Sequence, residues 1–326
     1  MNVHPMWDEY PALRNELAET IQLIEKQITI RHPDVQQKIK ELLTGGGKLL
    51  RPAYSILFSQ FAKERDPKKA QAVAAAIEVL HLATLVHDDV VDEAATRRGQ
   101  DTFNAAYDNR IAIYTGDYLF TVCFNLLQEY VADASILQLD SNGMETILLG
   151  ELNQMTNKYQ TNMRMRDYFR QVKGKTAELF ALSCYSGAYQ ATENKKLAQQ
   201  AYRIGQNIGI AFQLIDDNLD YNENSEKIGK PVLQDLRNGI YTAPLLYALQ
   251  TNRDELLPYL LKKDQITDEE ALRVLALVKE AKGIEEAQRL AAKYTQKALK
   301  QIQQLPDEMP RSLLSNITEQ ILQRES

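Results

Sequence analysis

The sequence predicts an all-α protein, and three observations support this prediction. Helix-favouring Ala, Leu, Gln, Glu and Lys dominate the 326 residues, whereas runs that alternate with period two are scarce. The 14 glycines and 10 prolines are few, and they fall between segments of helical period. No low-complexity linker or shift in composition divides the chain. We therefore expect a single-domain helical bundle over residues 1–326, with ten or more helices.

Helix ends and turns can be predicted in several places. Asp66 and Pro67 suit the N-cap and first position of a helix that should run to about Glu93. The three glycines at 45–47 require a turn. The polar stretch at 221–239 is predicted as a long loop.

A helix near the C-terminus is marked at both ends. Thr267 and Glu270 fit a capping box, in which the side chain of each residue bonds the backbone N–H of the other. Gly283 follows the sequence EEALRVLALVKEAK and is the expected C-cap of this helix.

Composition and charge argue against several classes of protein. A net charge of −6 gives no reason to expect nucleic acid or an anionic membrane as a partner. Cys123 and Cys184 stand alone, as buried thiols do in a reducing compartment. The N-terminus lacks the apolar core of a signal peptide, and no apolar run reaches about eighteen residues. We therefore expect a cytoplasmic protein without a transmembrane segment.

Two aspartate-rich stretches have the same internal spacing. The sequence HDDVVDEAATRRG at 87–99 follows an almost wholly apolar run, and FQLIDDNLDY at 212–221 repeats the pattern. On a helix, aspartates four residues apart lie one turn apart on one face. The two clusters comprise Asp88, Asp89 and Asp92, and Asp216, Asp217 and Asp220.

These clusters are costly without a cation. Like charges one turn apart repel by a few tenths of a kcal/mol, and burial beside apolar sequence adds a desolvation cost. Mg²⁺, with Mn²⁺ as a substitute, is the expected ion because it takes oxygen ligands and is shared with phosphates. The histidines show no zinc-ligand spacing with the cysteines. We expect the two helices to face each other across a central cavity. The alternative is a pair of solvated acidic helix ends.

Basic residues occur where they could bind a polyphosphate. Lys48 and Arg51 belong to the glycine turn GGGKLLRP, and His81 lies two helical turns before Asp88. Separately, each has an ordinary alternative: surface cations for the first two and a core histidine for His81. The turn also lacks Walker spacing. The other candidates are Arg97, Arg98, Lys175 with Thr176, and Lys230.

Together these motifs resemble the trans-prenyltransferases, or polyprenyl diphosphate synthases. These are all-helical enzymes of the isoprenoid synthase type that add isopentenyl diphosphate to an allylic diphosphate. The resemblance rests on GGGKLLRP, LVHDDVVDEAATRRG, GKTAELF, FQLIDDNLDY and GKPVLQDLRNGIYTAP, in this order. The chain departs from the family pattern at Leu49 and Ile240, where relatives often carry a cation.

The resemblance implies a role for each motif residue. The six aspartates would hold Mg²⁺ ions that bridge to the allylic diphosphate. Arg97, Lys175 and Lys230 would neutralise that diphosphate. Isopentenyl diphosphate would be bound by Lys48, Arg51, His81 and Arg98. Thr176 and Gln213 would shield and steer the forming allylic cation. The residues assigned to the catalytic step are Asp88, Asp89, Lys175, Thr176, Gln213 and Asp216.

Product length is expected to depend on the tunnel beneath the first cluster. Short-chain relatives carry bulky aromatics four or five residues before the first aspartate, where this chain has Thr84 and Ala83. These small residues would leave the tunnel open toward Leu80, Ile77 and Ala76. The resemblance thus implies a hexaprenyl or heptaprenyl product (about C30–C35), typically a quinone side chain. The alternative for Ala83 and Thr84 is ordinary close packing of helices.

The stretch at 108–120 particularly resembles the catalytic large subunit of two-component bacterial hexaprenyl and heptaprenyl synthases. The resemblance implies a homodimer or a heteromer with a small regulatory subunit. Three alternatives remain. They are a homodimeric geranylgeranyl or farnesyl synthase, a non-catalytic subunit that binds prenyl diphosphates, and a terpene cyclase, which would not need the second-substrate residues.

Overall fold

The structure, a computed structural model, describes residues 3–131, 134–221 and 233–322. The α-helices in this part of the chain are α1 Pro11–Gln27, α2 Pro33–Thr44, α3 Leu50–Ser59, α4 Pro67–Val91, α5 Phe103–Ala106, α6 Asn109–Tyr130, α7 Ala134–Asn157, α8 Met165–Val172, α9 Glu178–Thr192, α10 Lys195–Leu219, α11 Gln234–Arg237, α12 Ala243–Thr251, α13 Arg253–Leu260, α14 Asp268–Glu280, α15 Gly283–Ile302 and α16 Met309–Leu322. The prediction of an all-α fold with ten or more helices is confirmed.

Short elements complete the described chain. Turns of 3₁₀ helix occur at Pro5–Trp7 and Lys263–Gln265, and a π-helical turn joins α8 to α9 at Lys173–Ala177. An antiparallel pair of two-residue strands, β1 Thr96–Arg97 and β2 Gln100–Asp101, follows α4.

Helix α4 forms as its sequence predicts. The Asp66 side chain accepts hydrogen bonds from the backbone N–H groups of Lys68 and Lys69, and Pro67 occupies the first turn. Among the described residues, α4 alone is long and apolar enough to span a membrane by length and composition. However, 72% of its most apolar window is buried inside the protein, as is usual for a core helix.

The backbone divides into two compact units built from separate stretches of the chain. The first comprises Met1–Ser141, Leu182–Tyr202 and Glu308–Pro310. Within it, α4 packs against α1, α3 and α6. The prediction of a single domain stays a prediction.

The second unit has its own apolar core. It comprises Asn142–Ala181, Arg203–Asp307 and Arg311–Ser326. Helix α12 packs against α13, α14 and α15 around buried leucines, valines and alanines. The end of α10, which carries the second aspartate cluster, belongs to this unit.

Two local predictions need correction. The capping box of Thr267 and Glu270 is present, but Gly283 does not cap α14. The residue in the left-handed conformation is Lys282, with φ of 56°, and Gly283 begins α15. Part of the predicted loop at 221–239 is helical, because α11 lies within it. Residues 222–232 lie outside the described part of the chain.

Gly283 is needed for a close approach between helices. A Cβ atom at this position would lie 2.2 Å from the carbonyl oxygen of Pro244, the second residue of α12. Backbone cannot yield as a flexible side chain can, so a larger residue must push α15 away from α12.

We predict opposite effects at the two adjacent positions. Gly283→Ala should destabilise the protein by about 1–3 kcal/mol through overpacking. Lys282→Gly should be neutral or stabilising by up to about 1 kcal/mol, because glycine adopts positive φ without strain. Urea unfolding of both variants measures this difference. Loss of stability in Lys282→Gly with none in Gly283→Ala would contradict both the left-handed conformation of Lys282 and the close approach at Gly283.

Candidate active site

The first aspartate cluster terminates α4. Asp88 is half-buried, Asp89 is only 3% exposed, and Asp92 is the exposed C-cap. The strand pair after α4 returns Arg97 to this helix end, where Arg97 Nε donates to Asp89 Oδ1 at 2.7 Å. Burial raises the pKa of Asp89, and the ion pair with Arg97 opposes that rise. The buried Asp89 carboxylate is thus paired with Arg97, a side chain that is predicted to bind diphosphate.

A cationic cluster in the same unit consists of Arg51, Arg98 and His81, of which His81 lies on α4. Arg51 Nη1 and His81 Nε2 are 3.1 Å apart. Because a guanidinium only donates, His81 accepts through Nε2 and carries its proton on Nδ1. Burial lowers the pKa of His81 well below its usual value, and neighbouring guanidinium groups lower it further. These groups belong to Arg51, Arg98 and Arg97. His81 is therefore neutral at pH 7.

Glu78 is the acidic neighbour of this cluster, and our sequence analysis missed it. Its side chain is 6% exposed, one turn before His81 on α4. Burial raises the pKa of Glu78, whereas the charges of Arg51 and Arg98 lower it. A lone carboxylate inside an apolar helix, three residues before a candidate histidine, was the available signal. Glu78 is therefore a buried acid close to two guanidinium groups that are predicted to bind phosphate.

The glycine turn before α3 is anchored by the N-terminal segment. The fully buried Trp7 donates from its Nε1 to the carbonyl oxygen of the half-buried Lys48 at 2.8 Å. A Cβ on Gly47 would lie 2.9 Å from Arg98 Nη1, so the turn runs directly along this guanidinium. The structure thus brings the turn that carries Lys48 beside the cationic cluster. Sequence analysis missed Trp7, whose only signal is that it is the single tryptophan.

The second aspartate cluster terminates α10 and has one fully buried member. Asp217 is 2% exposed, whereas Asp216 is half-buried. Asp217 accepts hydrogen bonds from the Tyr168 hydroxyl at 2.6 Å and from Gln213 Nε2 at 2.8 Å. Burial raises the pKa of Asp217 to about 7; these two hydrogen bonds oppose the rise, and the neighbouring aspartates add to it. Sequence analysis missed Tyr168.

Asp220 performs a second, structural task. Its two carboxylate oxygens accept hydrogen bonds from the backbone N–H groups of Gln234 at 3.0 Å and Asp235 at 3.1 Å. These N–H groups open α11, whose N-cap Leu233 offers no side-chain acceptor. Asp220, the residue that follows α10, therefore caps α11. Burial raises the pKa of Asp220, and these hydrogen bonds lower it.

The π-helical turn between α8 and α9 presents two predicted catalytic residues. Thr176 Oγ1 donates to Gln213 Oε1 at 2.6 Å, and Lys175 Nζ lies 3.0 Å from Glu151 Oε2 on α7. Glycines allow the backbone of the π-turn to contact the backbone of α7, since a Cβ on Gly150 would lie 2.9 Å from the Gly174 backbone. A π-turn at this point is consistent with a functional site. Glu151 was not identified from the sequence.

The residues that are predicted to determine product length lie along one stretch of α4. Ile77, Leu80 and Ala83 are buried, whereas Thr84 is half-buried. The Thr84 hydroxyl donates to the His81 carbonyl oxygen at 2.8 Å, one turn back along the helix. This internal hydrogen bond reduces the polarity of the Thr84 side chain.

The predicted site residues thus occur in two groups, one in each unit. Lys230 lies outside the described residues. Among the residues that the structure does describe, no three His, Cys, Asp or Glu side chains lie close enough together to form a metal site by themselves. The predicted facing of the two aspartate clusters stays a prediction.

Comparison with known proteins assigns the family. Residues 32–278 match the family model described as polyprenyl synthetase. The chain belongs to the polyprenyl synthetase family. It is therefore a prenyltransferase enzyme with the isoprenoid synthase fold, as predicted. Among curated relatives of this polyprenyl synthetase, heptaprenyl diphosphate synthase component 2 of Bacillus subtilis is 35% identical over 316 residues, which cover 94% of this chain and 89% of the relative.

Solved structures of polyprenyl synthetase relatives agree with this assignment. Geranylgeranyl pyrophosphate synthase from Lactobacillus brevis superposes with a TM-score of 0.94 at 41% identity, covering 98% of this chain and 99% of that one. A polyprenyl synthase from Caulobacter crescentus, complexed with calcium and isoprenyl diphosphate, has a TM-score of 0.89 at 28% identity, with 97% of each chain covered.

The neutral His81 makes a prediction about pH. Its folded pKa lies below its unfolded value of about 6.5, so the unfolded chain binds a proton first on acidification. The contribution of His81 to stability is therefore complete above pH 6.5 and is lost as pH falls below it. We predict that Tm falls less between pH 7.5 and 5.5 in His81→Gln, which keeps an acceptor for Arg51, than in the wild type. Parallel Tm curves would show that His81 is not held neutral.

Proposed function

We propose that this prenyltransferase condenses isopentenyl diphosphate with an allylic diphosphate in an Mg²⁺-dependent reaction, giving a medium-chain, all-trans polyprenyl diphosphate. The cationic cluster is the observation that carries this proposal. Arg51, His81 and Arg98 lie together within the unit that bears the first aspartate cluster. An enzyme that ionises a single diphosphate has no need of a second anion site, so this cluster argues against a terpene cyclase.

The donor set suits a hard divalent cation. Every member of both clusters offers carboxylate oxygen, and Asp89 and Asp217 are buried carboxylates whose pKa is raised by burial. A cation offsets such a cost, and Mg²⁺ is typically held by one or two carboxylates together with substrate phosphates. The six aspartates would hold it, and Mn²⁺ would substitute. When bound, the metal neutralises charge that grows on the diphosphate leaving group.

The side chains of this protein would do the remaining work. Arg97, Lys175 and Lys230 would bind the allylic diphosphate, and the cationic cluster with Lys48 would hold isopentenyl diphosphate beside it. Positive groups fixed in advance stabilise the departing diphosphate without reorganisation. Holding both substrates together removes the entropy cost of their encounter. The diphosphate itself is the base that we propose for the proton lost at the end.

Chain length follows from α4 in this proposal. Ala83 and Thr84 place no bulky ring beneath the first cluster, and Leu80 and Ile77 lie one and two turns deeper. We therefore propose a hexaprenyl or heptaprenyl product for a quinone side chain. The relative from Bacillus subtilis supports the heptaprenyl length. A geranylgeranyl product is the second candidate, because the Lactobacillus brevis structure has the higher identity.

The setting of the enzyme is proposed from the same sources. We propose a cytoplasmic enzyme that works as a homodimer or with a small partner subunit. The relative from Bacillus subtilis is component 2 of its enzyme, which supports a partner subunit for this chain as well.

Product analysis tests the proposed reaction. The purified chain is incubated with Mg²⁺, labelled isopentenyl diphosphate and farnesyl diphosphate, and the dephosphorylated alcohols are sized. We expect EDTA-sensitive hexaprenol or heptaprenol. Asp216→Asn should lower the rate by about 100-fold or more, because it removes charge at the proposed metal site. Asp307→Asn, at an exposed aspartate, should leave the rate unchanged. An inactive wild type, even with a partner subunit, would contradict the proposal.

Product length can be shifted by one side chain. We predict that Thr84→Phe shortens the main product by one or more isoprene units, because a ring beneath the first cluster would stop the growing chain. Thr84→Val is the matched control; it removes the hydroxyl at constant volume and should preserve the product. An unchanged length distribution in Thr84→Phe would mean that this part of α4 does not limit the chain.

A further inference from the structure

Tyr168 lies at the end of a continuous hydrogen-bonded chain that reaches a predicted catalytic residue. The Tyr168 hydroxyl donates to Asp217 Oδ2 at 2.6 Å, and Asp217 Oδ1 accepts from Gln213 Nε2 at 2.8 Å. Gln213 Oε1 in turn accepts from Thr176 Oγ1 at 2.6 Å. All four residues belong to the second unit.

The carboxylate fixes the direction of this chain. In the ionised state that holds a cation, Asp217 only accepts hydrogen bonds, so Gln213 turns its amide nitrogen toward Asp217 and its oxygen toward Thr176. The hydroxyl of Thr176 carries one proton, which it donates to Gln213. Toward any other group, Thr176 can then offer only lone pairs.

The Tyr168 side chain is suited to fix the Asp217 end of this hydrogen-bonded chain. Its side chain is only 3% exposed. The phenol carries one O–H, and it is directed at Asp217 Oδ2. Its ring packs edge-on against Phe169, with ring centroids 5.7 Å apart. A buried, packed ring leaves the hydroxyl little freedom to move.

We propose that Tyr168 is a positioning residue that orients Asp217 and, through Gln213, makes Thr176 an acceptor-only group toward the allylic cation. This inference rests on the proposed function, because it takes the second aspartate cluster as part of the active site. Without the phenol, Asp217 can rotate and the Gln213 amide can flip. The Thr176 hydroxyl would then present a proton, which repels positive charge.

The test compares Tyr168→Phe with Tyr241→Phe. Tyr241 lies in the same apolar core, is 2% exposed and donates its hydroxyl to the Leu260 carbonyl oxygen at 3.4 Å, so its loss controls for removing a buried phenol. We expect Tyr168→Phe to lower kcat about 10- to 100-fold, as loss of a supporting hydrogen bond does at metal sites. The KM for isopentenyl diphosphate should be unchanged. Tyr241→Phe should change neither.

Two further readouts separate positioning from folding. Calorimetric titration of Mg²⁺ in the presence of inorganic pyrophosphate should show weaker binding in Tyr168→Phe but not in Tyr241→Phe, while both variants keep a cooperative thermal unfolding transition above the assay temperature. At saturating Mg²⁺, the double variant of Tyr168→Phe with Thr176→Val should be no slower than Thr176→Val, because the remaining effect of each change passes through the same hydrogen-bonded chain. Multiplicative losses, or equal kinetics in the two tyrosine variants, would overturn this inference while the wild type remains active. A wild type without activity would instead overturn the proposed function.

Discussion

The constraint on which this structure depends is a carboxylate buried at the end of an apolar helix. Each aspartate cluster contains one such group, Asp89 on α4 and Asp217 on α10. Burying a charge without partners costs several kcal/mol, so each helix end needs donors brought from elsewhere in the chain. Arg97 meets this need for Asp89 with an ion pair. Asp217 receives two neutral donors, which oppose the rise that burial causes in its pKa, to about 7.

Local backbone devices deliver those donors. The strand pair after α4 reverses the chain within a few residues, which returns Arg97 to the helix that it follows. The π-turn at Lys173–Ala177 lies against α7 through facing glycines and presents Thr176 to Gln213. Trp7 fixes the turn that carries Lys48. Each of these three irregular segments therefore carries or adjoins a predicted site residue.

What the sequence could predict is determined by the range of each interaction. The Asp66 cap and the capping box at Thr267 depend on residues two or three positions apart, and both were correct. Gly283 was misassigned because its partner, the Pro244 carbonyl, is distant in sequence and invisible to a local rule. Tyr168, Glu151 and Trp7 were missed for the same reason. The motifs identified the groups that would touch substrate, but not the residues that hold those groups in place.

Several of the supporting residues are acids that lie beside cationic side chains, and those cationic side chains are predicted to bind phosphate. Asp89 pairs with Arg97, Glu151 with Lys175, and Glu78 lies near Arg51 and Arg98. A guanidinium has five donors, so an internal carboxylate leaves others available for phosphate. Such pairing reduces the repulsion between the cationic side chains when no phosphate is bound. It also leaves little excess positive charge to neutralise an added diphosphate, which is why divalent cations are needed for binding in the proposed reaction.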